Sequence, residues 1–88
     1  MSPVFTTTKL DKDDNNYVYY LVGKNIKKYR KLKGLRQRDL AELCNLSEGF
    51  ISDIESDTFR TISLNTLYHI AKVLDVHIMY LLQDIDED

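Results

Sequence analysis

The chain has 88 residues, of which 43% are apolar, 12 are basic and 14 are acidic. This length allows one small domain with a modest hydrophobic core. No apolar run is long enough to span a bilayer, and no basic start followed by an apolar segment marks a secretory signal. We therefore expect a cytoplasmic protein. A single cysteine, Cys44, excludes an intrachain disulfide.

The first predicted elements are a polar arm and one long helix. Residues 1–16 contain Pro3, a threonine run and a stretch rich in Asp and Asn, so we predict a flexible arm there. Asn15 or Asn16 can cap a helix that continues to Lys33. Gly34 then supplies the left-handed residue that ends this helix.

Four shorter helices follow, and no segment has the pattern of a strand. We predict them at residues 37 to about 44, 48–56, 64–74 and about 77–83. Ser47 and Ser63 are the expected N-caps of the third and fourth helices. Residues 17–83 thus form the predicted domain, with a loop at 57–62, and residues 84–88 form an acidic tail.

The second and third helices are separated by only a few residues around Leu46, which we expect to be buried. Their apolar faces are Leu40, Ala41 and Leu43 on one helix and Ile51 and Ile54 on the other. Two helices joined so tightly must cross steeply, so the second can lie across a groove while the first braces it. This is the helix-turn-helix arrangement that reads DNA.

Motifs in a fixed order and spacing cover about two thirds of the chain. They are Val22-Gly23-x-x-Ile26-x-x-Tyr29-Arg30, Gly34-Leu35-x-Gln37-x-x-Leu40-Ala41, Leu46-Ser47-x-x-x-Ile51-Ser52-x-Ile54-Glu55 and Ile62-Ser63-Leu64-x-x-Leu67-x-x-Ile70-Ala71-x-x-Leu74-x-Val76. In these motifs the sequence resembles the phage repressor and Cro-like helix-turn-helix proteins, also called the xenobiotic-response-element family. The resemblance implies an all-α, compact five-helix, lambda-repressor-like domain that binds specific double-stranded DNA and regulates transcription. The length and the segment from Arg60 to Leu64 also resemble restriction–modification controller proteins.

The resemblance implies that the third helix enters the major groove near its N-terminus. The positions that would face base edges are Glu48, Gly49, Phe50, Ser52 and Asp53. Glu48 and Asp53 can accept from cytosine N4, and Ser52 can donate or accept. Gly49 allows a close approach, and Phe50 can cover a thymine methyl. Phe50 can instead pack against its neighbours, and Glu48 can serve the electrostatics of the helix start.

A separate set of residues is expected to contact DNA phosphates. By resemblance, Gln37 meets the DNA backbone from the start of the second helix, and the other candidates flank it in loops or helix starts: Arg36, Arg38, Arg60, Thr61 and Asn65. Arg36 stands where the family usually has a Ser or Thr cap, whose loss costs roughly 0.5–2 kcal/mol. Either the arginine is kept for its charge, or Asp39 compensates in the first turn.

Two further roles follow from the resemblance and from the apolar pattern. Arg30 and Glu55 match a pair that the family uses as a salt bridge between the first and third helices, so we interpret them as structural. The apolar run at residues 78–82 exceeds what one side of a short helix needs for its own core. We expect Met79, Leu82 and Ile85 to contact a second copy in a homodimer.

The formal net charge of −2 has the wrong sign for a polyanion partner, but the charges are unevenly distributed. Residues 24–38 hold eight of the twelve basic side chains and no acidic one. Seven of the fourteen acidic residues gather near the two ends of the chain, at residues 11–14 and 84–88. A locally positive surface can bind phosphate even on a slightly acidic protein.

Nothing in the sequence indicates catalysis, a metal site or a cofactor. His69 and His77 lack partners at ligand spacing, and no nucleophile has an evident base. We expect both histidines to be surface or capping residues, and Cys44 to be a half-buried structural residue. The competing interpretation is an antitoxin or anti-repressor that acts through a protein partner. Its contact surface would be the acidic tails with Tyr17, Tyr19 and Tyr20.

Overall fold

The computed structural model describes residues 11–85, which form five helices. They are α1 (Tyr17–Leu32), α2 (Gln37–Cys44), α3 (Glu48–Glu55), α4 (Leu64–Leu74) and α5 (Ile78–Leu81). No strand occurs within these residues, and the predicted five-helix, all-α class is confirmed. Only α5 is clearly shorter than the expected 77–83. The first ten residues of the predicted arm and residues 86–88 of the predicted tail lie outside the described part.

Three of the helices end with the same backbone conformation, a left-handed residue followed by a hydrogen bond back to the helix. Gly34, Asn45 and Asp75 follow α1, α2 and α4 with φ of 73°, 59° and 59°. The next residue in each case donates its N–H to a carbonyl one turn back, at 2.9–3.1 Å: Leu35 to Arg30, Leu46 to Ala41 and Val76 to Ala71. Each of these apolar residues also packs against the core. The left-handed residue and the half-buried one after it therefore stop each helix and turn the chain inward, so Leu46 is half-buried where full burial was expected.

The helix starts agree with the predicted caps, with one exception. Ser47 Oγ accepts the Phe50 N–H at 3.0 Å, and Ser63 Oγ accepts the Thr66 N–H at 3.3 Å. Asn16 precedes α1, but its side chain makes no capping bond. Asp14 acts there instead, since its carbonyl accepts the N–H of Tyr17, the first residue of α1, at 2.9 Å.

All five helices contribute to one core. Its buried members are Val22, Ile26, Leu40, Ala41, Cys44, Ile51, Ile54, Leu67, Ile70, Ala71, Leu74 and Leu81. The predicted stripes on α2 and α3 are therefore buried, except that Leu43 is 59% exposed and faces away from the core. Cys44 is fully buried rather than half-buried, because it lies one turn after Leu40 on the inner side of α2.

Helices α1 and α3 approach each other unusually closely at Gly23. A Cβ atom on Gly23 would lie 1.7 Å from the carbonyl oxygen of Ile54, well inside the van der Waals distance. Glycine is therefore required at position 23 because there is no room for a side chain, and not because the backbone needs an unusual conformation. This contact brings α3 against the middle of α1 and fixes one point of its orientation.

A smaller apolar cluster lies at the start of α1, away from the main core. Tyr17, Tyr20 and Leu21 are its buried members, and Phe59 and Ile85 pack against them. Phe59 belongs to the loop between α3 and α4, and Ile85 to the segment after α5. This cluster therefore ties two connecting segments to the first turns of α1. Within residues 11–85, none of the helices combines the length and apolarity needed to cross a membrane.

Candidate nucleic-acid interface

The inner side of α3 is fixed to α1 by a buried ion pair. Arg30 Nε lies 2.8 Å from Glu55 Oε2, and Arg30 Nη2 lies 2.9 Å from Glu55 Oε1. Arg30 also donates to the Leu35 carbonyl at 2.7 Å through Nη1. Because both partners are buried and the contact is bidentate, it holds the two helices at one angle. This geometry matches the structural pair expected from the sequence and leaves Arg30 without access to a phosphate.

Two polar residues extend this pair toward the surface. Gln37 Nε2 donates to Glu55 Oε1 at 3.1 Å, so the first residue of α2 is bonded to the last residue of α3. Lys24 Nζ donates to the Glu55 carbonyl at 3.2 Å and pairs with Asp57. Glu55 is therefore the junction of α1, α2 and α3. The Gln37 side chain, an expected phosphate ligand, is held in place by that junction.

The outward side of α3 is open. Glu48, Gly49, Ser52 and Asp53 are all exposed, and they share one face because they recur at helical spacing. Nothing lies within 4 Å of the Cβ position of Gly49, so a ligand can approach the backbone there. Phe50 is half-buried at the edge of this face and packs against the core. Four of the five predicted base-facing residues therefore lie together on an accessible surface, and the fifth borders it.

Arg60 reaches this surface from the loop between α3 and α4. Its Nη1 lies 3.0 Å from Asp53 Oδ2, and its guanidinium carbon lies 4.8 Å from the centre of the Phe50 ring. The structure thus brings together two residues predicted to face bases and one predicted to contact phosphate. We refer to Phe50, Asp53 and Arg60 as the arginine cluster.

The start of α2 carries a second exposed ion pair. Asp39 Oδ2 accepts the Arg36 N–H at 2.8 Å and Arg36 Nε at 3.0 Å, while Asp39 Oδ1 accepts Nη2 at 2.9 Å. These bonds from Arg36, side chain first, lower the pKa of Asp39 to about 2. Arginine has no acceptor with which to cap the helix, so Asp39 compensates as one of the two sequence interpretations proposed.

The basic stretch, residues 24–38, has fewer unpaired charges than its sequence suggested, because the fold brings acidic side chains next to four of its eight basic ones. Its ion pairs are Lys24 with Asp57, Arg30 with Glu55, Lys33 with Asp75 and Arg36 with Asp39. The remaining cations of the stretch form no ion pair with another of residues 11–85: Lys27, Lys28, Lys31 and Arg38. Arg38 is the exposed member of this set that lies on α2, next to the helix-turn-helix surface.

The other expected contact residues lie in two places. Thr61 and Asn65 are exposed just before and at the start of α4, and Asn65 Oδ1 accepts from Ser63 Oγ at 2.6 Å. Met79 is 61% exposed and Leu82 is 38% exposed at α5. Ile85 is partly covered by the tyrosines at the start of α1. Of the three residues expected in the dimer contact, Met79 and Leu82 are therefore the more open.

The cysteine and both histidines have structural contacts. Burial raises the pKa of the Cys44 thiol, which favours the unreactive protonated form. His69 Nε2 lies 3.0 Å from the Cys44 carbonyl at the end of α2, and His77 Nδ1 accepts the Met79 N–H at the start of α5. Among residues 11–85 no group of three or more His, Cys, Asp or Glu side chains is placed to bind a metal ion.

Sequence reasoning missed several residues that position this surface. Asn25 is buried in α1 and donates from Nδ2 to the carbonyls of Leu81 at 3.0 Å and Gln83 at 2.8 Å, which fastens the end of α5. A polar residue on the apolar side of a predicted helix was the available signal. The stacking of Tyr19 on Phe59, with ring centres 6.0 Å apart, had no signal in the sequence.

Comparison with known proteins agrees with this geometry. The helix-turn-helix family model matches residues 26–81. The transcriptional regulator SinR of Bacillus licheniformis is 36% identical over 67 residues, which are 76% of this chain and 60% of SinR. The chain thus spans less than two thirds of that relative.

Solved structures of two relatives have the same fold. One is the crystal structure of SinR, a master regulator for biofilm formation, in complex with DNA. It matches with a TM-score of 0.66 and 35% identity, and the match covers 70% of this chain and 98% of the SinR chain. The restriction–modification controller protein C.AhdI from Aeromonas hydrophila has a TM-score of 0.66 and 28% identity, and covers 72% of this chain and 94% of that one. These relatives are regulators and not enzymes. The chain belongs to the helix-turn-helix family of transcriptional regulators.

Proposed function

We propose that this protein is a cytoplasmic transcriptional regulator that binds operator DNA as a homodimer, with α3 of each copy in the major groove of one half-site. The observation that carries the proposal is the contrast between the two sides of α3. Its inner side is fixed by the buried Arg30–Glu55 pair, while Glu48, Gly49, Ser52 and Asp53 remain exposed on the outer side. A rigid helix with an open polar face is suited to base readout.

The proposed base contacts follow from the chemistry of the exposed side chains. Glu48 accepts from cytosine N4, Ser52 donates or accepts, and Asp53 faces the bases in its pair with Arg60. Gly49 allows the helix backbone close to the groove, and the free edge of Phe50 covers a thymine methyl. The Glu48 carboxylate repels phosphates, so it lowers affinity for DNA that lacks a matching donor.

The proposed phosphate contacts surround this face. They are Gln37 and Arg38 on α2, with Arg36, Arg60, Thr61 and Asn65 in the adjacent loops and helix starts. Gln37 supports the proposal best, because its bond to Glu55 fixes the side chain before DNA arrives. Arg38 is exposed and forms no ion pair with another of residues 11–85, so its charge is available to a phosphate.

Dimerisation through α5 is proposed from its exposed apolar side chains. Met79 and Leu82, with Ile85 at the border, form the contact. Two copies would then read half-sites about one helical turn apart, roughly 34–36 Å. The structure of SinR in complex with DNA and the assignment of C.AhdI as a controller protein support a regulator that acts on DNA.

The proposal is tested by titrating the protein with random-sequence and selected duplexes at several salt concentrations. Binding should weaken steeply as salt rises, because each phosphate contact releases counterions. Gln37→Ala and Arg38→Ala should weaken binding to every sequence, and Arg38→Ala should reduce the salt slope by about 1.

Lys12→Ala is the matched control, because Lys12 is exposed on the segment before α1, outside the proposed interface. It should leave the affinity close to that of the parent. A protein that binds no duplex at low salt contradicts the proposal. The alternative antitoxin or anti-repressor function, which the two exposed carboxylates of α3 favour, would then be tested next.

A further inference from the structure

We propose that Arg60 reads a guanine in the major groove and that Asp53 positions it, so that Arg60 determines specificity and is more than a phosphate contact. This inference rests on the proposed function, because it requires α3 to dock in the groove. In this proposal the three residues of the arginine cluster together recognise one base. The base beside Asp53 is then recognised through the arginine that Asp53 holds.

The geometry of the arginine cluster carries the proposal. Phe50 and Asp53 are three residues apart, so their side chains border the same edge of α3. The Arg60 guanidinium lies over the Phe50 ring at 4.8 Å, and Nη1 bonds to Asp53 Oδ2 at 3.0 Å. One contact holds the group against the ring, and the other holds one of its nitrogens beside Asp53. The guanidinium is thus oriented at the outward face of the recognition helix.

The loop that carries Arg60 is itself anchored. Phe59, the preceding residue, has a φ of 62° and stacks on Tyr19 of α1. Ser56 Oγ donates to the Asp53 carbonyl at 2.8 Å and lies 3.0 Å from Thr58 Oγ1. These contacts hold both ends of the short path from Asp53 to Arg60. The arginine is therefore presented from a fixed loop, which reduces the side-chain freedom that binding would remove.

The unused donors of Arg60 match guanine. A guanidinium has five N–H donors, and the bond to Asp53 uses one of them. Guanine presents two acceptors in the major groove, N7 and O6, and arginine contacts both in the commonest specific protein–DNA interaction. Lysine has a single charged nitrogen and cannot reproduce this fork. The exposed fractions of the Arg60 and Asp53 side chains, 49% and 60%, leave the cluster open to a base.

The acidic residue is also explained by this arrangement. An isolated carboxylate at Asp53 would face the negative potential of the groove. Paired with Arg60, its charge is balanced, and the cluster as a whole is neutral. One of the two carboxylate oxygens of Asp53, Oδ2, is engaged by Arg60 before DNA binds.

The test is selection of bound duplexes from a random library, followed by affinity measurements on the selected site and on single-base variants. The parent should select at least one guanine per half-site. Arg60→Lys keeps the charge and should reduce discrimination at that guanine by roughly 5- to 150-fold with a nearly unchanged salt slope. Asp53→Ala should weaken the preference for guanine at the same position, and the variant should not prefer any other base there. Thermal melts of both variants should stay within a few degrees of the parent, which separates positioning from folding.

Arg38→Lys is the matched control, since it alters an exposed arginine proposed to contact only phosphate. It should leave every base preference unchanged. The proposal is overturned, while the proposed function stands, if Arg60→Lys lowers affinity equally for all sequences. It is also overturned if Asp53→Ala removes a preference that Arg60→Lys leaves intact, because Asp53 then reads a base directly. A parent that enriches no sequence at all refutes the proposed function itself.

Discussion

Two ion pairs hold opposite sides of α3, and they differ in almost every physical respect. The pair on the inner side, Arg30 with Glu55, has side-chain exposures of 7% and 2% and is bidentate. The pair on the outer side, Arg60 with Asp53, has exposures of 49% and 60% and one hydrogen bond. The same chemistry therefore serves two purposes on one helix.

The difference in burial decides what each pair contributes. Removal of one partner from a buried pair leaves an uncompensated charge and costs roughly 3–5 kcal/mol. An exposed pair contributes about 0–1 kcal/mol, because water screens both charges. The inner pair consequently sets the position of α3, whereas the outer pair contributes little to folding and remains available to a ligand.

The largest effect on the inner side is expected from Gly23→Ala. The added Cβ would meet the Ile54 carbonyl oxygen at 1.7 Å, and that atom is backbone in α3. Helices α1 and α3 must then separate, which also strains the Arg30–Glu55 pair. We expect a loss of about 4 kcal/mol or more in the free energy of unfolding, or failure to fold. Chemical denaturation followed by circular dichroism measures it.

Gly49→Ala is the matched control for this prediction. Nothing lies within 4 Å of its Cβ position, and α3 should gain about 0.5–1 kcal/mol from a better helix former. Equal stability of the Gly23→Ala variant and the parent would show that α1 and α3 do not pack this closely in solution.

Glu55→Ala is expected to have the next largest effect. It leaves the buried Arg30 guanidinium with the Leu35 carbonyl alone and removes the acceptor of Gln37. A loss of roughly 3–5 kcal/mol is a large share of the stability of a small domain. A thermal melt should shift clearly downward, and any loss of DNA binding should follow from unfolding and from the released Gln37 side chain.

Asp53→Ala sharpens the comparison, since it breaks the outer pair in the same way. We expect a change below about 1 kcal/mol, because both partners are solvated. Similar shifts for Glu55→Ala and Asp53→Ala would mean that burial does not separate the two pairs. Arg30 would then become a candidate phosphate ligand.

The smallest effect concerns the exposed Arg36–Asp39 pair at the start of α2. The Asp39 pKa is about 2, below its ordinary value of 3.8. A lowered folded-state pKa contributes stability above the unfolded value that is lost as pH falls from about 4 through 2. Asp39→Asn should therefore melt slightly below the parent at pH 5–7, and this difference should vanish near pH 2. A difference in melting temperature that stays constant down to pH 2 would show that the charge of Asp39 does not contribute to stability.

Much of the fold was predictable because it depends on local chemistry. Helical spacing of Leu40, Ala41, Ile51 and Ile54 located the buried faces of α2 and α3, and all four are buried. Ser47 and Ser63 cap the helices that they were expected to cap. Leu43 was placed on the wrong side, since apolarity alone does not distinguish a buried leucine from an exposed one.

The candidate site was predictable only in part. Helical periodicity indicates that Glu48, Ser52 and Asp53 share a face, and the resemblance to a family indicates how that face is used. Apart from the Arg30–Glu55 pair, neither indicates which charges pair across the chain. Lys24 meets Asp57 and Arg60 meets Asp53 because loops return to the helices at particular points, and those points depend on the packing of the whole domain.

By itself, the sequence determined the number of helices, their order, the serine caps of α3 and α4, the glycine that ends α1 and the family of the protein. Each of these depends on interactions within a few residues of one another or on a motif of fixed spacing. The tertiary structure alone decided that Gly23 is required by a contact with Ile54, that Glu55 joins three helices and that Arg60 lies against Phe50 and Asp53. These contacts join residues that are distant in the chain or held by a loop, and their geometry exists only once the helices have packed.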